Sequence, residues 1–115
     1  MPKTEPPLIG VLQPQGILDA NQGKKLYHQV LDLLNEDNQI ILIDCHQLEF
    51  VDSSGLGLLV RILKVVEQSE GRLALCSINP DFKMLLKMTK MEDVFAIYAS
   101  QVHFQLVVQQ SFSGN

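Results

Sequence analysis

Residues 39–46, Gln-Ile-Ile-Leu-Ile-Asp-Cys-His, constrain this chain more than any other stretch. Four large apolar residues in succession leave no polar face for water. So short a run, rich in isoleucine, suits a strand rather than a helix. Its continuity demands cover on at least one face, as in a parallel sheet.

The segments around it alternate in the way such a sheet requires. "LIGVLQPQGILDA" (residues 8–20) reads as two short strands broken at Pro14 and Gly16, the first near a sheet edge. Asp19 or Asn21 then caps a helix to about Asn35, with Leu26, Val30, Leu33 and Leu34 on its apolar face. A second helix begins near Asp52–Ser54 and reaches about Gln68. "GRLALCSI" is a strand, and Pro80 opens a helix with Phe82, Leu85 and Leu86 on one side. "VFAIYAS" is a last strand, and Ser100 caps a terminal helix. Strands alternating with helices predict an α/β fold, with a mixed, mostly parallel sheet of about five strands and about four helices. The 115 residues suit a single domain, with a core over about 8–110 and a loose tail at 111–115.

Composition narrows the function. Nine basic against thirteen acidic residues give a net charge of −4, which argues against a nucleic-acid partner. Cys45 and Cys76 both sit in apolar runs and read as buried free thiols of a reducing compartment. The first residues lack the apolar segment of a secretory signal, and no run is long enough to insert in a membrane. The expectation is a soluble, cytoplasmic protein without metal or cofactor.

The chemistry is concentrated in "FVDSSGLGLL", residues 50–59. A catalytic serine needs a base, usually a histidine held by a carboxylate. "DSSGLG" is not the G-x-S-x-G elbow, His28 and His103 fall on predicted helices, and the histidines lack metal-ligand spacing. A phosphate-binding loop would carry G-x-x-x-x-G-K-[ST] or G-x-G-x-x-G, and neither is present. Asp and Ser are favoured helix caps, which accounts for part of the loop. Two adjacent exposed hydroxyls between an acid and a glycine also make a modification site. Phosphate there would add about −1.5 to −2 charges.

The helix after the loop is apolar on more than one side. Leu56, Leu59, Val60 and Leu63 form one stripe, read as core. Leu58, Ile62 and Val65 form a second, which is either wedged between layers, the commoner fate of so apolar a helix, or an exposed patch for a partner, the reading taken for Leu58 and Ile62. On that reading Leu58→Asp or Ile62→Asp weakens binding and spares the fold. Met84, Met88 and Met91 repeat the spacing on the next helix, where methionine serves either contact or gap filling.

Three pieces together resemble one family, the STAS domains, and within it the stand-alone bacterial anti-sigma factor antagonists. "GILDANQ" is similar to the family's turn before the first helix. "ILIDCHQLEFVDSSGLGLL" resembles its central strand, connector and D-S-[ST]-G-L-G loop, with Asp44 eight residues before Asp52. "GRLALCSINPDFKMLLKMTKMEDVF" resembles its next strand and helix. The resemblance implies a non-catalytic switch. Ser53, directly after Asp52, would be phosphorylated by a serine-protein kinase that is also the anti-sigma factor, and a metal-dependent phosphatase would reset it. The unmodified form would bind the kinase. Asp19 and Asp52 match the family acids, and Gly55 and Gly57 the glycines that admit the partner, with Ser54, Leu56, Leu58 and Ile62 completing the contact. His46, Glu49 and the second hydroxyl of Ser54 depart from the pattern, and Ser54 is the alternative phosphoacceptor. Two other readings remain: an adaptor docked on an ABC transport ATPase, which needs no modified serine, and a small serine hydrolase.

Overall fold

A computed structural model describes residues 7–113. Strands β1 (Ile9–Leu12), β3 (Ile40–Asp44), β5 (Arg72–Cys76) and β6 (Ala96–Tyr98) form one sheet in the order β1-β3-β5-β6. Strands β2 (Gly16–Leu18) and β4 (Leu48–Val51) form a separate two-stranded ribbon. Every pairing among these strands is parallel. The helices are α1 (Ala20–Asn35), α2 (Ser53–Gln68), α3 (Pro80–Met88) and α4 (Gln101–Ser113). The α/β expectation is met, with one strand more than foreseen. The extra strand is β4, inside what the sequence suggested was only a connector.

The apolar run at 40–43 is central because it has to be. β3 lies between β1 and β5, and all five of its residues are buried. Alternation along the strand sends its side chains to two cores. Ile41 and Ile43 join Val30, Ile62, Phe82 and Leu86 beneath α1, α2 and α3. Ile40 and Leu42 meet Phe104 of α4 on the other face. Successive parallel strands moving one way across a sheet need same-handed crossovers, which places α1, α2 and α3 on one side. Only α4, after the last strand, is free to cover the other.

The starts of α1, α2 and α4 follow the predicted caps, and α3 adds Asn79, the residue before Pro80. Asp19 caps α1, accepting from the Gln22 N–H at 2.9 Å. Asn79 caps α3 through the Phe82 N–H at 2.8 Å, and Ser100 Oγ accepts from His103 N–H at 3.0 Å. The Asn79 amide does a second job: its Nδ2 donates to the carbonyls of Leu48 and Glu49, both at 3.2 Å, and so ties β4 to α3. At its far end α4 continues through Ser113, into the stretch expected to be a tail, and residues 114–115 lie outside the described residues.

The cysteines occupy neighbouring strand ends but opposite faces. Cys45 N–H donates to the Cys76 carbonyl at 2.9 Å, while Cys45 packs in the α1–α3 core and Cys76 in the α4 core. Both thiols are free and buried. Burial, with the nearby Cys76 and Asp44 charges, pushes Cys45 up to about 12. Burial and Asp44 push Cys76 up to about 11, from an ordinary 9.0. A raised folded value means the thiol form adds stability below about pH 9, where both states are protonated, and loses it as pH climbs toward 11. Urea denaturation between pH 8 and pH 11 is expected to show stability falling more steeply in the parent than in Cys76→Ala.

Candidate functional site

The ribbon and the two helices it feeds create the site. In the parallel β2–β4 pair, Leu18 and Val51 are register partners. The residue after each is an aspartate, so Asp19 and Asp52 emerge side by side and each starts a helix. The strands are also tied at this point, because Asp52 N–H donates to the Leu18 carbonyl at 3.1 Å. Asp52 accepts from the Gly55 N–H at 2.8 Å, closing the first turn of α2. Removing that acceptor by Asp52→Ala is expected to cost about 1 kcal/mol of stability in urea unfolding. Asp52→Asn should recover most of it, since the amide oxygen still caps.

Ser53 and Ser54 are the first residues of α2, and both are exposed. Neither hydroxyl is bonded to another described residue. The helix N-terminus beneath them is favourable for negative charge, whereas the Asp52 carboxylate is not. Among the histidines, His46 Nδ1 lies 3.0 Å from Asp44 Oδ1 and His28 Nδ1 lies 3.3 Å from the Lys24 carbonyl. His103 packs edge-on against Tyr98. No histidine is bonded to Ser53. Asp44 is buried and also accepts from the His46 N–H at 3.1 Å and Gln13 Nε2 at 3.3 Å. It anchors the turn that leads into β4 and takes no part at the serine. No cluster of three metal-ligating side chains occurs among the described residues.

The two glycines of the loop have different work. A side chain at Gly55 would run into the Leu18 carbonyl, so this glycine lets α2 sit down on the end of β2. It is buried and out of a partner's reach. Gly57 is exposed and has nothing within 4 Å of where a side chain would start. Of the two, only Gly57 lies open on the surface, as the expectation of admitting a partner requires.

The expected exposed stripe on α2 is not there. Ile62 is 0% exposed, and Leu58 and Leu56 are buried as well. The covering element is α1, which crosses α2 so closely that a side chain at Gly23 would overlap Leu58. One step along the same crossing, the Arg61 guanidinium lies over the Tyr27 ring, 5.3 Å from its centroid. Leu56, Leu58 and Ile62 therefore hold the loop from beneath. Two apolar residues missed in the sequence take their place on the surface. Ile17 and Phe50 are register partners across the ribbon, 54% and 50% exposed, and each stands two residues before an aspartate of the site. "LEFV" is buried at both ends and exposed between, which breaks the two-residue alternation of a strand, so its sequence carried no signal that Phe50 faces outward.

The surface is thus an apolar pair, two acids, two hydroxyls and a bare glycine, on adjoining helix starts. The STAS domain model matches residues 1–103. The chain belongs to the STAS domain family. It is 30% identical over 98 residues to the anti-sigma F factor antagonist of Paenibacillus polymyxa, covering 77% of this chain and 84% of that one. The crystal structure of TM1081 from Thermotoga maritima superposes with a TM-score of 0.79 at 27% identity, over 88% of this chain and 87% of the other. SpoIIAA, an anti-sigma factor antagonist, shares the fold in its unphosphorylated form, with a TM-score of 0.65, 17% identity and coverage of 90% and 88%. No helix among the described residues is long and apolar enough to cross a membrane.

Proposed function

We propose that this STAS protein is an anti-sigma factor antagonist and works as a phosphorylation-controlled partner switch. In the unmodified state it binds an anti-sigma factor that is also a serine-protein kinase. Phosphate on Ser53 ends that binding, and a metal-dependent serine phosphatase restores it. The protein performs no catalysis of its own.

One observation carries the proposal. Ser53 is an exposed, unbonded hydroxyl at the first turn of a helix, flanked by a capping acid and by an apolar pair half open to solvent. The hydroxyl is reachable by a kinase, and the helix start tolerates a phosphate. Ile17 and Phe50 supply the desolvated centre that a protein interface needs, with Asp19, Asp52, Ser54 and Gly57 around it. A phosphate on Ser53 lies within this patch, so it acts on the partner rather than on the fold. The relatives named as anti-sigma factor antagonists support the same role.

Intact-mass measurement of the protein from its own cells, followed by site mapping, tests this. A species heavier by one phosphate, mapped to Ser53, is expected. Phosphate on Ser54 would move the switch by one residue. No phosphate in any growth phase would remove it and favour an adaptor of an ABC transport complex, which needs no modified serine.

A further inference from the structure

A second feature lies away from the serine loop. Between α3 and β6 runs a cleft of about 520 Å³, walled by Ile78, Leu86, Ile97 and Tyr98. Its lining also carries Lys83 and Lys87, four residues apart and so on one face of α3, and one acid, Glu92. Among the described residues neither ammonium has a carboxylate within ion-pair distance; the one such contact is His46 with Asp44. Both lysines are exposed, so their ammonium groups are available at the mouth of the cleft.

The position in the fold explains why the cleft exists. α3 packs on one face of the sheet and α4 on the other, so the chain changes faces at β6. Ile78 follows the end of β5, while Tyr98 and Ala99 mark the end of β6. The cleft thus opens at the carboxyl ends of β5 and β6, beside α3. The volume falls within the range of small-molecule sites.

We propose that this cleft binds an amphiphilic anion: a phosphate or carboxylate head between Lys83 and Lys87, with an apolar body along Ile78, Leu86, Ile97 and Tyr98. Ammonium groups bind such a head by charge-assisted hydrogen bonds. The apolar walls add burial of the tail, and the exposed Glu92 on the rim disfavours a second negative charge. The head can belong to a free molecule or to a membrane lipid.

The probe is decyl phosphate below its micelle concentration, titrated into the full chain and followed by backbone amide NMR, with decanol as the uncharged control. Saturable shifts at Lys87, Ile97 and Tyr98 are expected. Both decanol and the Lys83→Gln/Lys87→Gln variant should bind about tenfold more weakly or worse. Both lysines are exposed, so the variant should keep the parent melting midpoint. Co-sedimentation with vesicles containing phosphatidylglycerol, lost in the double variant, would make the head a lipid's; no sedimentation beside saturable decyl phosphate binding would make the ligand a free molecule. Shifts absent or non-saturable, equal binding of decanol, or binding indifferent to both lysines would overturn the site.

Discussion

Ile62→Asp is expected to abolish the cooperative thermal unfolding of this domain. Ile62 is fully buried in the core shared by α1, α2, α3 and β3. Among the described residues the one buried charged side chain, Asp44, is satisfied by Gln13 and by the His46 ring and backbone. A carboxylate at 62 would find no such donors. An unpaired buried charge costs several kcal/mol or forces the group to stay protonated. Against a total stability of about 5–15 kcal/mol, that is a large share. Ile62→Val, by contrast, should cost about 1 kcal/mol and melt cooperatively. Leu58→Asp should act in the same direction with a smaller effect, because Leu58 is 8% exposed where Ile62 is fully buried. A cooperative melt of Ile62→Asp at the parent midpoint would place that residue on the surface after all.

Ser53→Asp is expected to fold normally and bind the kinase partner about 30-fold more weakly or worse. Ser53→Ala should bind constitutively and resist phosphorylation. The first turn of α2 accommodates negative charge, so the fold has no reason to respond. A partner packed on Ile17, Phe50 and Gly57 must desolvate whatever stands at position 53. A carboxylate beside Asp52 meets like charge and lacks a cationic match, a cost of about 2–4 kcal/mol. Ser54→Ala should retain both behaviours, since Ser54 only adds to the helix start. Phe50→Ala should weaken binding in every phosphorylation state, which separates loss of the apolar contact from operation of the switch. Calorimetric titrations of the four variants against the same kinase preparation measure these differences.

How far the sequence alone reaches is clearest in α2. Its start was legible because an aspartate followed by two serines and a glycine can do little else after a buried strand. Its buried face was not legible. With Leu56, Leu58, Leu59, Ile62, Leu63 and Val66 spread around it, the 3.6-residue period admits several stripes. The choice is made by α1, whose approach at Gly23 covers Leu58, and a helix's own periodicity carries no record of its neighbour. The strand β4 escaped for a related reason: four residues paired to three are held by tertiary contacts, among them the Asn79 amide, rather than by propensity. Asp19 and Asp52 were legible as caps singly. Their adjacency came only with the register of the ribbon that precedes them.

The central claim is that one phosphate on Ser53 controls one interface. Its most direct test is a binding titration of the kinase partner against the chain stoichiometrically phosphorylated at Ser53, beside unmodified chain from the same preparation. Affinity lower by about 30-fold or more is predicted, with no change in melting midpoint. Equal affinity of the two forms would contradict the switch.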